Sequence, residues 1–281
     1  MIRFLFICFI IIFSLHTNDV IAQTNQPMQS NFTYRVKLIE EFFERFNYTA
    51  NAFILKELKN QGLSTTRENL LISLFNHQQS WDTLSINKFI TKVTSSRENV
   101  NINYSDDNWY AEVEATFDLN GEPTPVYLIL KPEYLENKSA WVLIGVRCDT
   151  LFKVIDLPAK DTTSINSIIE LDGSFIRPMS HGINFIDFFR VFRPRKNWDG
   201  IAQETFSIDK LSYFFALIDY GVLKFVQNNS ITFHFLQVEN WIFEVQYFNR
   251  QDVNSGWLIS NLMPVKQKDK ENYLFYLLYE E

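Results

Sequence analysis

Two stretches of this chain, Asn108–Asp149 and Asn240–Glu281, align without a gap at a constant offset of 132. Asn108-Trp109-x-x-Glu112-Val113 falls on Asn240-Trp241-x-x-Glu244-Val245. Leu130-x-Pro132 falls on Leu262-x-Pro264, Lys138 on Lys270 and Trp141 on Tyr273. The offset is even, and this constrains the fold more than the identities do. Side chains alternate across a strand with a period of two, so an even shift preserves which face each one takes, and a one-residue slip would reverse them all. In the first copy Trp109, Ala111, Val113, Ala115 and Phe117 are apolar, with Glu112, Glu114 and Thr116 between them. In the second, Trp241, Phe243, Val245 and Tyr247 keep that facing. Both copies therefore predict strands with one face on a core.

Helices are expected before each set of strands. Phe32, Val36, Ile39, Phe43, Phe46, Ala50 and Phe53 recur at steps of three and four, the stripe of one amphipathic helix. Gly62 is its expected left-handed stop. Thr65-x-x-Glu68 has capping-box spacing ahead of a second helix with Leu70, Leu71, Leu74 and Phe75 buried. Asn120-Gly121 predicts a tight hairpin turn, because that pair tolerates positive φ. Val126–Leu130 and Trp141–Val146 are the strands expected to follow, with weaker candidates ahead of them at Ile86–Val93 and Val100–Tyr104. In the second half, Asp187-Phe188-Phe189-x-x-Phe192 echoes Glu41-Phe42-Phe43-x-x-Phe46, with Ser180 as its expected N-cap. Ser207 is expected to cap a helix carrying Leu211, Phe215 and Ile218, which stops at Gly221. Strands are then expected at Val222–Val226, Ile231–Leu236, Trp241–Phe248, Trp257–Leu262 and Tyr273–Tyr279.

The fold class is thus α+β. Two tandem repeats are expected, each with N-terminal helices packed on a curved antiparallel sheet. The boundaries are residues 1–22 for a signal peptide, 23–149 and 178–281 for the repeats, and 150–177 for the connection, with a short helix near Ile165–Leu171. In order and size each half resembles the cystatin-like α+β superfold, and more narrowly the nuclear-transport-factor-2-like domains. That resemblance implies isomerases, dehydratases or inert binding domains, and does not choose among them.

Arg3, the apolar run Phe4–Leu15 and Val20-Ile21-Ala22 predict a signal peptide cleaved before Gln23. Its apolar run is too short to span a bilayer comfortably. The alternative is an uncleaved anchor helix. Cleavage leaves 259 residues in a periplasmic or extracellular protein, with no later stretch apolar enough to span a membrane. A net charge of −7 argues against a nucleic-acid partner. Only Cys148 survives cleavage, so no internal disulfide is available. Of the 27 Phe, the 23 beyond residue 22 must then supply the core.

The candidate site residues are Trp109, Glu112, Trp241, Glu244 and His181. Glu112 and Glu244 occupy equivalent places on the polar sides of their strands. They are either a solvated sheet face or the carboxylates that an isomerase-type site needs, which would require burial or a like-charged neighbour to raise a pKa. His181 lies in the turn Arg177-Pro178-Met179-Ser180-His181-Gly182, where Ser180 beside it is not a catalytic pair without a third orienting group. Trp109, Trp241, Trp141 and Trp257 either close a core or line a mouth where they stack on sugar or peptide. His77 reads as a helix-end cation and His234 as a residue on the polar face of a strand. No histidine pair has zinc spacing, and there is no phosphate loop or serine elbow, so no metal, cofactor or catalytic set is expected. The expected function is a non-enzymatic binding or interaction protein of the cell envelope, for a protein or a small apolar or glycan ligand. The alternative is a periplasmic isomerase- or dehydratase-type enzyme using a buried carboxylate.

Overall fold

The computed structural model describes Val36 and residues 38–95, 97, 100–135, 138–152, 176, 178–194, 198, 201, 210–251 and 254–279. The expected signal peptide, the helix near Ile165–Leu171 and the Ser207 cap lie outside these residues. The protein is α+β. Four helices come first: α1 (Ile39–Phe46), α2 (Phe53–Asn60), α3 (Arg67–Ser73) and α4 (Thr83–Thr94). Strands β1 (Trp109–Leu119), β2 (Glu122–Leu135) and β3 (Lys138–Arg147) follow as a meander. Short helices α5 (Asp149–Phe152) and α6 (Phe188–Val191), a 3-10 turn at Pro178–Ile183 and α7 (Lys210–Asp219) come next. The chain then runs through β4 (Leu223–Phe235), β5 (Trp241–Phe248), β6 (Gly256–Pro264) and α8 (Gln267–Tyr279).

All six strands form one antiparallel sheet in the order β3-β2-β1-β4-β5-β6. The central pair joins the whole length of β1 to β4, from Trp109 opposite Phe235 to Leu119 opposite Leu223. The predicted facing holds as far as Val245, while Tyr247, the last of the second series, is half exposed. Trp109, Ala111, Val113, Ala115 and Phe117 lie in the main core with Trp241, Phe243 and Val245. Tyr110 and Ile242, one residue along, lie in a second cluster on the opposite face. The helices before each meander reach the other meander's strands as well as the central pair, where Phe43 meets Trp109 of β1 and Phe188 meets Phe225 of β4. Phe46 stacks on Phe243 of β5, and Phe89 of α4 meets Trp241. Phe214 of α7 meets Phe117 of β1, and Phe185 meets Trp141 of β3.

Several turns form as their residues require. Asn120 (φ 55°) and Gly121 (φ 96°) make the β1–β2 hairpin, whose turn needs positive φ at both positions. Gly62 and Gly221 both take φ +71° just past a helix. In each case the following residue donates back to a carbonyl of the last turn, Leu63 to Leu58 and Val222 to Leu217. This double closure satisfies carbonyls that a helix end otherwise leaves open.

The single N-terminal helix expected over Phe32–Phe53 is instead two. Tyr48 takes φ 53° and α2 restarts after Ala52, and the expected stripe ends at the break: Ala50 and Phe53 are exposed, and α2 buries Ile54 and Leu58 instead. The cap of α3 is Thr66, whose hydroxyl accepts from the Asn69 N–H, one residue after the expected Thr65. Ile86–Val93 is not a strand but the body of α4, capped by Asp82 accepting from the Leu84 and Ser85 N–H groups. Ile86, Phe89, Ile90 and Val93 carry a helical period that their β-branched composition masks. Val100–Tyr104 is not a strand and enters a turn at Tyr104; its backbone partners are side chains. The Asn47 amide exchanges both hydrogen bonds with the backbone of Ile102, and Gln237 does the same for Asn103. Ser180 lies inside the 3-10 turn, where its hydroxyl donates to Asp187 rather than capping α6. The strands expected at Val222–Val226 and Ile231–Leu236 are one strand, β4, with register shifts at two points.

The largest correction is at the C-terminus. Tyr273–Tyr279, expected as a strand by analogy with Trp141, is part of helix α8. A further strand has no free ladder beyond β6, whose outer edge is already met by Val36 and Phe75. Val36 O accepts from the Trp257 N–H, and Leu74 O from the Ile259 N–H. Gly256 is required at this edge, because a Cβ there would sit 2.1 Å from Val36 O at a φ of +98°. The opposite edge, on β3, is met by Ile176 and Ile201, which accept from Trp141 and Leu143. Both edges are thus closed to strand addition along these stretches. With no strand to join, α8 lies across the second face of the sheet. There it packs Leu274, Leu277 and Leu278 on Tyr110, Ile129 and Ile242. Among the described residues no helix is long and apolar enough to cross a membrane.

Candidate functional site

The arrival of α8 on the outer face creates the candidate site. Even-numbered residues of β1 and β5 point outward, so Glu112 and Glu244 share this face. Glu112 stands opposite Thr232 of β4, while Glu244 stands opposite His234 of β4 and Asn261 of β6. Arg147 reaches in from the end of β3, and Tyr273 and Tyr276 come down from α8. Together they line a cleft of about 390 Å³ between helix and sheet.

The polar groups form one chain. Arg147 Nη2 lies 3.0 Å from Glu112 Oε2, and His234 Nε2 lies 3.6 Å from the same oxygen. His234 Nδ1 meets the Tyr273 hydroxyl at 2.7 Å. That hydroxyl donates to Glu244 Oε1 at 2.9 Å, and Asn261 donates to the same atom at 3.2 Å. The single phenolic proton fixes the rest. With it pointed at the Glu244 carboxylate, His234 must carry hydrogen on Nδ1 and donate to the phenol oxygen. His234 Nε2 is buried beside Glu112. Gln246 donates to the Thr232 hydroxyl at 3.0 Å and completes the floor.

The chain fixes charge as well as geometry. Burial raises the Glu112 carboxyl, but His234 and Arg147 together outweigh it and hold the group below its ordinary value. Burial, then the negative charge and hydrogen bond of Glu244, push the Tyr273 phenol far up, so it remains a proton donor. His234 is 5% exposed. It therefore supports the cleft from beneath, while Glu112, Arg147, Glu244 and Gln246 keep partial access to solvent.

Of the five residues singled out in sequence, the structure brings Glu112 and Glu244 together in this cleft. Trp109, Trp241 and His181 lie on the inner face. Trp109 packs against Trp141 at 4.9 Å and stacks on Phe235, while Trp241 is buried against Phe89. His181 accepts from Trp141 Nε1 at 3.1 Å on Nδ1 and faces Glu40 Oε1 at 3.2 Å through Nε2. Indole N–H can only donate, so this histidine carries its hydrogen on Nε2. Burial raises Glu40, but the bond to His181, a backbone hydrogen bond and the His181 charge together more than reverse this, leaving that carboxyl below its ordinary value. His77 Nε2 meets Ile72 O at the end of α3. Sequence reasoning missed Arg147 and Tyr273 as members of a site and gave His234 no role in one. The signal for His234 was its outward facing between Phe233 and Phe235. Tyr273 had none while Tyr273–Tyr279 read as a strand.

Among the described residues no cluster of three or more His, Cys, Asp or Glu is arranged to hold a metal ion. No protein-family model, curated protein or solved structure matches the chain.

Proposed function

We propose that the chain is an exported, non-enzymatic binding protein that takes a small polar ligand into the cleft between α8 and the outer sheet face. The observation that supports this is the layering of the cleft. His234 from the sheet, Tyr273 from α8 and Asn261 from β6 hold the two carboxylates in place, and the carboxylates, Arg147 and Gln246 keep access to the opening. Groups already held in their bound geometry lose little entropy when a ligand arrives. The polar lining favours a glycan-like ligand over the apolar class. Export rests on the N-terminal sequence alone. The two-repeat origin and the resemblance to cystatin-like domains stay part of this proposal, supported by the paired three-strand meanders.

The alternative, an isomerase- or dehydratase-type enzyme, draws support from the His234–Tyr273–Glu244 chain. Against it, Glu112 is held below its ordinary value, and a carboxylate so held is a weak general base. Native mass spectrometry of the mature protein from its own source separates the readings. A reproducible small-molecule mass, lost in the Glu112→Gln/Glu244→Gln variant, supports binding. A bare mass, or turnover of any substrate that this variant abolishes, overturns it.

A further inference from the structure

Beyond the cleft, the same sheet face carries a row of outward polar side chains along β1 and β4 that hydrogen-bond one another. Glu114 accepts from the Ser230 hydroxyl at 3.0 Å. Thr116 is bonded to Asn229 at 3.0 and 3.2 Å, and Gln227 donates to Asn229 at 3.1 Å. The register places Glu112, Glu114 and Thr116 successively opposite Thr232, Ser230 and Gln227, so the strip is continuous with the cleft. Both register shifts of the β1–β4 pair fall in this stretch. They add residues to β4 and turn Asn229 out beside Thr116, and such bulges re-aim side chains where a strand serves a site. From His234 to Gln227 the strip is roughly 23 Å long at about 3.3 Å per residue.

We infer that the occupant of this groove is a linear, uncharged oligosaccharide, its terminal sugar in the cleft and the following units laid along the Glu114–Ser230 and Thr116–Asn229–Gln227 strip. This rests on the binding reading above and deepens it. Three observations select the class. The lining is built from planar carboxylate, amide and guanidinium groups with spare lone pairs or N–H groups, which pair with vicinal hydroxyls. Tyr276, 51% exposed on α8, offers an aromatic face at the mouth. Glu112, Glu114 and Glu244 against Arg147 make the strip acidic, which disfavours polyanions such as uronate chains or nucleic acid. An extended peptide is the weaker fit, because strand addition needs an open sheet edge and the edges are met by Val36, Phe75, Ile176 and Ile201.

The test is a printed array of neutral linear oligosaccharides, from monosaccharide to hexasaccharide in several sugar types, probed with the folded mature protein. We expect retention on at least one series to rise tenfold or more from monosaccharide to tetrasaccharide. The Gln227→Ala/Asn229→Ala variant, altered only at exposed positions, should lose that length dependence. Equal retention at every length overturns the inference, as does no retention of any neutral glycan. In the second case, native mass spectrometry distinguishes the two levels. A small-molecule mass on the source-purified protein leaves the cleft reading standing, and a bare mass removes both.

Discussion

Tyr273 has one proton and two neighbours able to accept it. Its donation to Glu244 compels His234 to donate in turn, so one hydroxyl fixes a hydrogen on Nδ1 of a buried imidazole. Tyr273→Phe removes the phenol from both partners at once. The expected cost is about 1–3 kcal/mol, the range for leaving buried polar groups unpaired. A urea titration with unchanged slope measures it, and a midpoint equal to wild type would show that the chain contributes nothing. Glu112 gives a pH signature with a defined sign. Its carboxyl titrates lower in the folded chain than in the unfolded chain, where the value is about 4.3. Its stabilisation is therefore complete above that value and is lost as pH falls through the folded pKa. The stability gap between wild type and Glu112→Gln should narrow as pH drops from about 7 to about 3. A constant or widening gap in thermal melts across that range would contradict the assignment.

At the scale of elements, much of the fold was legible and one error hid the site. The alternation around Trp109–Phe117 and Trp241–Tyr247, the Asn120-Gly121 hairpin and the stops at Gly62 and Gly221 are local signals, and each carried its own geometry. Val100–Tyr104 failed because pairing to Asn47 and Gln237 is a long-range event with no local trace. Tyr273–Tyr279 failed because it was read by analogy with Trp141–Arg147. Whether an apolar run joins a sheet depends on whether the neighbouring edge is free, and Val36 and Phe75 had filled it. A local signal was available: the Asp269 carboxylate accepts from the Lys266 N–H, half of a capping box at the start of α8. The helix is held down at the same end by Lys270, whose ammonium donates to Leu236 O and Val238 O at 2.6 and 2.8 Å. Lys270→Met keeps the apolar stem, takes the donor from Leu236 O and leaves Val238 O with the Trp241 N–H alone, an expected loss of about 1–3 kcal/mol. Hydrogen exchange would locate it. Amides of α8 should lose protection well before those of β1, and uniform loss over the molecule would mean that α8 is not separately anchored.

For the whole molecule, the decisive fact is which helix covers which strand. The helices of residues 39–94 lie on β5 and β6, through Phe46–Phe243, Phe89–Trp241 and the bridges from Val36 and Phe75. The elements of residues 178–194 and α7 lie on β1 and β3, through Phe117–Phe214, Trp141–Phe185 and the Trp141–His181 hydrogen bond, and on β4 through Phe188–Phe225 and Phe192–Phe225. A segment ending near residue 152 would therefore keep its strands but lose their cover, and expose the whole edge of β1 that β4 now pairs. The segment from 176 onward would lose α1 and α4 in the same way. Long apolar strands with an open edge and a bare face aggregate rather than fold. Calorimetry of the intact mature chain is expected to show one transition, with calorimetric and van't Hoff enthalpies equal. The two segments expressed separately should give no sharp melt, yet recover native circular dichroism when refolded together, because every contact that each lacks is carried by the other. Independent folding of either one would mean that its own helices can turn back onto its own strands. The crossed packing would then be a later exchange between two self-sufficient repeats, and the cleft, which needs β1 beside β4, would exist only in the exchanged form.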